Sequence, residues 1–266
     1  MIKIGFVDYY LDEWHASNYP AFFERAAQKL GIECSVVGAF ATLDKSPKEN
    51  GKTTDEWCRE HDIPRFDDID DLASVCDVFL VFAPDDPEQH YSLANMVLPY
   101  GKRTFIDKTF AASEADARAI IDLANKYNTP MYSTSSLRYA IEVEEAKGMR
   151  DISVHGTYKY MKDYLVHTGE MVVSILGTGI SSIECDIDDK TYFFNVKYQD
   201  DRAARVEMFP KCPFKVNGNT VESDYFGRQI ENILKFFNGE SATVSADEMI
   251  EVARFIDMAK LAIEKA

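Results

Sequence analysis

Five short apolar runs, each leading into or out of a segment with helical spacing, fill the first half of the chain and limit its fold more than any other feature. "IKIGFVD" (2–8), "ECSVVGAF" (33–40), "DVFLVFAP" (77–84), "RTFIDKT" (103–109) and "PMYSTSSLRYA" (130–140) read as strands. The segments "NYPAFFERAAQKLG" (18–31), a short piece around 54–61, "IDDLASV", "EQHYSLANMVLPYG" (88–101) and "SEADARAIIDLANKYN" (113–128) read as helices. Gly31 and Gly101 mark C-terminal stops, and Ser113 followed by Asp116 comes close to a capping box. The stretch 41–53 is polar, holds Pro and Gly, and reads as a loop. Repeated strand–helix units with apolar strands require a parallel sheet covered on both faces. Right-handed crossovers make that sheet doubly wound.

After about residue 140 the pattern changes. A helix-like piece at 141–148 precedes "DISVHGTYKYM" (151–161), which alternates as a strand does. "YLVHTGEMVVSILG" (164–177) has helical spacing and stops at Gly177. "ISSIECDID", "KTYFFNVKYQD" and "RAARVEMFP" alternate and are divided by Asp-rich turns, which predicts an antiparallel sheet. Two long helices follow over 224–240 and 245–266, the second opened by Ser245 and Glu248 as a capping box. The expected fold class is α/β: an N-terminal Rossmann-like doubly wound parallel sheet over 1–140, and a C-terminal α+β domain with an open, largely antiparallel sheet over 141–266.

Composition excludes several classes of partner. The formal net charge of −16 argues against nucleic acid and against an anionic membrane surface, since both need a basic face. No apolar run reaches the roughly 20 residues of a membrane span, and no secretory signal is visible, so the expected place is the cytoplasm. The five cysteines are scattered with no C-x-x-C, which reads as free thiols in a reducing compartment. A small molecule remains the expected ligand.

Three stretches resemble the Gfo/Idh/MocA family of oxidoreductases. In "FAPDDPEQHYSLANMVLPYGKRTFIDKTFAASEADARAIIDLANKY" (82–127), Pro84, His90, Gly101-Lys102 and Asp107-Lys108-Thr109 stand where the family has Pro, His, Gly-Lys and Glu-Lys-Pro. In "DYLVHTGEMVVSILG" (163–177), Asp163, His167, Glu170, Leu176 and Gly177 follow the family's Asp-x-x-x-His spacing. The closing helices, "YFGRQIENILKFFNGESATVSADEMIEVARFIDMAKLA", also match the family's pattern. The resemblance implies NAD or NADP as cofactor, a sugar, polyol or related hydroxy compound as substrate, and a homo-oligomer paired through the C-terminal sheet.

It also implies roles for particular residues. Taking a hydride from a secondary alcohol leaves a proton to be removed, and His is suited to that near neutral pH. By resemblance His167 is the acid/base, Lys108 orients and polarises the substrate oxygen, and Asp163 supports the site. A dinucleotide would lie against Asp8, Tyr9, Tyr10, Pro84 and His90. No metal site is evident, because His167 and Glu170 lack a third ligand. Arg138 has two readings, an anion contact or a structural ion pair. The group Tyr158, Tyr160 and Tyr164 could line a sugar site or pack a strand face.

One segment departs from the resemblance. A Gly-x-Gly-x-x-Gly is expected after "IKIGFV", to allow a tight turn and close approach of the pyrophosphate. The chain has "DYYLDEWHA" instead. Tyr9 and Tyr10 would fill phosphate space, and Asp8, Asp12 and Glu13 would add like charge. The acid expected after the second strand is represented only by Asp44, some residues late. Two alternatives to a nicotinamide-dependent oxidoreductase therefore stay open: a binding or regulatory protein on the same scaffold, and a lyase or isomerase that uses no added nicotinamide.

Overall fold

The computed structural model describes residues 1–159 and 161–266, with the side chains of all of these except 162 and 163. Tyr160 lies outside the described residues. The chain divides into two compact units: residues 1–111, 118–133 and 230–243 form the first, and residues 112–117, 134–229 and 244–266 form the second. The longest run of the second unit begins at residue 134. The segment 230–243 comes back to the first unit from late in the chain.

In the first unit the elements run β1 (Ile2–Asp8), α1 (Trp14–Leu30), β2 (Cys34–Ala41), α2 (Thr54–His61), α3 (Ile69–Val75), β3 (Val78–Val81), α4 (His90–Val97), β4 (Thr104–Ile106), α5 (Glu114–Lys126) and β5 (Met131–Ser133), with α5 beginning in residues of the second unit. The strands form one parallel sheet in the order β2-β1-β3-β4-β5. All four residues of β3 are buried, as are the last five of β1, so both faces of the sheet are covered. The switch in winding direction falls between β1 and β3, the place where such sheets open a crevice for ligands. Phe6 and Phe82 meet edge to face at 4.9 Å beneath that point, and Tyr19 of α1 meets Phe82 at 5.4 Å.

Several expected bounds shift for identifiable reasons. Helix α1 starts four residues before the expected residue 18, because Glu13 caps it, and it runs through Pro20. The run 130–140 gives only three residues of strand. Ser135 then caps a 3₁₀ turn over Ser136–Tyr139, which is buried but no longer paired in the sheet. The "IPRFDD" segment (63–68), whose sequence reads as a short strand or a turn, contributes an isolated parallel bridge, Ala39 with Arg65, beside β2.

The second unit holds α6 (Ile141–Glu145), β6 (Asp151–Thr157), α7 (Met161–Leu176), β7 (Ile180–Asp188), β8 (Thr191–Tyr198), β9 (Ala203–Phe209), β10 (Lys215–Val216), β11 (Asn219–Thr220), the start of α8 (Tyr225–Phe237) and α9 (Ala246–Ile263). Its sheet has the order β11-β10-β6-β9-β8-β7 and is antiparallel except for the β6–β9 pair. Burial alternates along β6 and β9, which marks a sheet with one face on a core and one open. The core side is closed by α7 and α9 through residues such as Val172, Phe194, Val206 and Phe255. Glu251 of α9 accepts from the backbone N–H groups of Gly179 and Ile180 at 2.8 and 2.5 Å, which fixes where β7 begins. Among the described residues no helix is long and apolar enough to cross a membrane.

Phe6 is fully buried and packs edge to face on Phe82. Phe6→Ala is expected to destabilise the first unit by roughly 3–5 kcal/mol, since the cavity cannot fully collapse against a sheet covered on both faces. A lowered denaturant midpoint with an unchanged slope would show this, and a change within about 0.5 kcal/mol would contradict the packing described.

Candidate functional site

The C-terminal ends of β1 and β4 carry a cluster of buried ionisable groups. Asp8 ends β1 and is 1% exposed, and Asp107 follows β4 with no exposure at all. Asp107 is held in place by its backbone N–H, which donates to the Val81 carbonyl at 2.8 Å. Its carboxylate Oδ2 pairs with His15 Nδ1, and the Tyr19 hydroxyl donates to Oδ1 at 3.4 Å. The Tyr19 ring stacks on His15, with centroids 5.3 Å apart and planes 16° from parallel. Residues 15 and 19 stand one helical turn apart on α1, so both rings face the same strand ends.

Electrostatics decide the proton positions. Burial alone would push the Asp107 carboxyl up, but His15 at its side outweighs burial and holds it below the ordinary range. An ionised carboxylate only accepts, so the proton in this pair sits on Nδ1 of His15. Asp8 goes the other way. Burial, then the charges of Glu13 and Asp107, raise its pKa well above the ordinary value. Its Oδ1 accepts from the Tyr9 N–H at 2.6 Å, while its buried Oδ2 has no hydrogen-bond partner.

Glu13 completes the cluster and shapes the turn. Its carboxylate accepts from the backbone N–H groups of His15, at 2.6 Å, and of Ala16. These are unsatisfied donors of the first turn of α1, where the helix dipole favours negative charge. The following loop closes over this turn. Leu43 N–H donates to the Tyr9 carbonyl at 2.7 Å and Lys52 N–H to Asp12 Oδ2 at 2.9 Å. Lys48 Nζ donates to the Asp12 carbonyl at 3.0 Å and stands 5.5 Å from the centre of the Tyr10 ring, which is buried. Asp44, the acid considered for a ribose, is paired with Arg65 at 2.9 Å.

The other sequence-predicted residues of the first unit lie beside this cluster. Lys108 Nζ donates to the Pro84 carbonyl at 3.3 Å and reaches Asp85 at 4.0 Å. His90 is completely buried. Its Nε2 faces the Phe82 carbonyl at 2.9 Å, and its Nδ1 faces the carbonyls of Thr109 and Phe110 at 2.8 and 3.1 Å. Burial lowers its pKa. Both ring edges of His90 hold backbone, tying the exit of β3 to the exit of β4.

In the second unit, His167 projects from α7, with Nδ1 2.7 Å from Ser135 Oγ. The rings of Tyr164 and Phe214 meet it edge-on at 5.6 and 5.9 Å. Asp163 lies outside the residues whose side chains are described. Arg138 forms a structural ion pair: its Nε donates to Glu170 at 2.7 Å and its Nη1 to Glu248 at 2.8 Å. Glu170 is thereby used by Arg138 and by the Thr134 hydroxyl at 3.1 Å. Among the described residues no group of three His, Cys, Asp or Glu side chains is placed to hold a metal ion.

Sequence reading had singled out neither His15 nor Tyr19, and had treated Asp107 only as a departure from Glu-Lys-Pro. The available signal was the density of ionisable groups in "DEWH", directly after a buried strand.

Comparison with known proteins places this geometry. Residues 21–134 match the model of the oxidoreductase family with an NAD-binding Rossmann fold known as Gfo/Idh/MocA. Solved structures agree on the fold along the whole chain. UDP-N-acetylglucosamine 3-dehydrogenase GnnA from Acidithiobacillus ferrooxidans is 13% identical, with a TM-score of 0.75 over 99% of this chain and 98% of its own. An NAD-binding oxidoreductase from Klebsiella pneumoniae is 10% identical, with a TM-score of 0.75 over 100% and 98%. GenD2 from gentamicin A biosynthesis, solved in complex with NAD, is 10% identical, with a TM-score of 0.73 over 100% and 95%. Among curated proteins none matches the chain in sequence.

The residues of the β1–α1 turn do not fit the family's dinucleotide in the place a glycine turn provides. The first-turn amides that would meet a pyrophosphate already hold Glu13, and Asp8 adds a second buried carboxyl beside it.

Burial is the main cause that pushes the Glu13 pKa up to about 7 from an ordinary 4.5. The folded chain therefore keeps this proton over a range in which the unfolded chain has lost it, so this group's contribution to stability falls as pH rises from 4.5 to about 7. Glu13→Gln is expected to flatten that part of the pH–stability curve. An unchanged slope in denaturant unfolding across this window would refute the assignment.

Proposed function

We propose that this protein acts on a sugar, polyol or related hydroxy compound, and that His167 is the residue that moves the proton. The observation that carries this reading is the setting of His167. One ring nitrogen is fixed by Ser135 at 2.7 Å and the ring is flanked by Tyr164 and Phe214, so its orientation is set by neighbours rather than by substrate. A histidine oriented in this way can take a proton from a hydroxyl, or from a carbon next to a carbonyl, near neutral pH. Lys108, whose ammonium is tethered to the Pro84 carbonyl, is the group the resemblance implies for polarising a substrate oxygen.

The family match over residues 21–134 supports an oxidoreductase with NAD or NADP as electron acceptor, and the dehydrogenases among the similar folds support a sugar-like substrate. The carboxylate on the first turn of α1 favours a second reading. The same proton movement then serves a lyase or isomerase, with no added nicotinamide.

A panel of sugars, polyols and their oxidised forms, assayed with and without added NAD(P), separates these readings. Turnover that requires added NAD(P) supports the first reading, and turnover without it supports the second. His167→Ala is expected to lower kcat by about 10²- to 10⁴-fold with folding unchanged. Full activity in that variant would remove His167 from the chemistry. Ligand binding without turnover of any compound would instead indicate a binding or regulatory protein.

A further inference from the structure

We infer that this chain carries its own substitute for the dinucleotide pyrophosphate: the Glu13 carboxylate occupies the N-terminus of α1, and no nicotinamide dinucleotide is held there. Three observations, all within the first unit, point the same way.

The first is the use of the donors. A pyrophosphate on a Rossmann helix is bound by backbone N–H groups of the first turn, aided by the helix dipole. Here the N–H groups of His15 and Ala16 donate to the two oxygens of Glu13. A carboxylate and a phosphate compete for the same donors and the same field. The carboxylate is tethered to the chain one residue before the helix, so it is always at hand, whereas a diffusing ligand must pay for its own immobilisation.

The second is shape. The glycines of a dinucleotide turn leave room where a side chain would stand. At this turn Tyr10 is buried, and its ring is 5.6 Å from that of Tyr9 and faces Lys48. The loop after β2 is bonded onto the turn through Leu43, Lys48 and Lys52. In that loop Asp44, the acid considered for a ribose, is bound to Arg65.

The third is charge. Asp8, Asp12, Glu13 and Asp107 all belong to this end of the sheet, and His15 pairs with Asp107. A pyrophosphate would add negative charge beside the ionised Asp107 and beside Asp8 and Glu13, whose burial already disfavours charge. The Lys48 ammonium, which reaches the turn, is engaged by the Asp12 carbonyl.

This inference stands apart from the reading of His167, and one experiment keeps the two separable. The full-length protein, labelled with ¹⁵N, is titrated with NAD⁺, NADH, NADP⁺ and NADPH into the millimolar range. The backbone amide resonances of His15 and Ala16 are followed. Those two resonances are expected to stay in place, whichever other resonances move. A saturable shift of both with any of the four compounds overturns the inference. Turnover that depends on NAD(P) while both amides stay in place would uphold it together with the oxidoreductase reading, and would send the dinucleotide to another surface. Loss of activity in His167→Ala bears only on the proton-transfer reading.

Discussion

A helix N-terminus that is satisfied by the chain's own carboxylate governs the first unit. Glu13 fixes the start of α1, and with it the direction of the residues that follow. His15 and Tyr19 then fall on the face that meets the ends of β1 and β4, where Asp107 receives both. Burying these groups is costly unless each is paired. The pairing is uneven: Asp107 stays ionised against His15, while Asp8 and Glu13 are driven towards their neutral forms. A cluster of carboxyls with opposed tendencies at a crevice is the kind of arrangement that marks functional sites in doubly wound sheets.

The fold and its usual cofactor therefore separate at one loop. Residues 21–134 match the Gfo/Idh/MocA model, and the fold of the chain agrees with solved oxidoreductases at a TM-score of 0.75. A scaffold can persist while the site grafted on it changes, because strand packing and loop chemistry answer to different constraints. In this chain the β3 exit carries Pro84 and the β4 exit carries Lys108, while at the β1 exit Glu13 caps the helix that follows.

Much of this was legible beforehand, and the reasons for the rest are physical. The buried strands announce themselves as apolar runs, and α9 by Ser245 and Glu248. Strand ends were less visible. The run at 130–140 shows no turn signal past β5, because the 3₁₀ turn that follows is buried too. The true start of α1 was hidden because Pro20 suggests a first turn, whereas the cap lies seven residues earlier at Glu13. His167 could be found by its spacing on a helix, but its contact with Ser135 could not, since 32 residues separate them. The His15–Asp107 pair spans 92 residues and joins elements that only the sheet order brings together. Local pattern carries no information about such a pair.

The ion pairs of Arg138 have a bearing on the second unit as a machine part. A single guanidinium is gripped by Glu170 from α7 and by Glu248 from the first turn of α9. Glu170 stands three residues beyond His167 on the same helix, so the two side chains leave neighbouring positions of one face. Rotating α7 by one residue, about 100°, would pull Glu170 off the guanidinium and swing His167 away from Ser135 in the same movement. The buried arginine thus works as an indexing pin: it admits one angular setting of the helix, and that setting is the one in which the imidazole meets its hydroxyl.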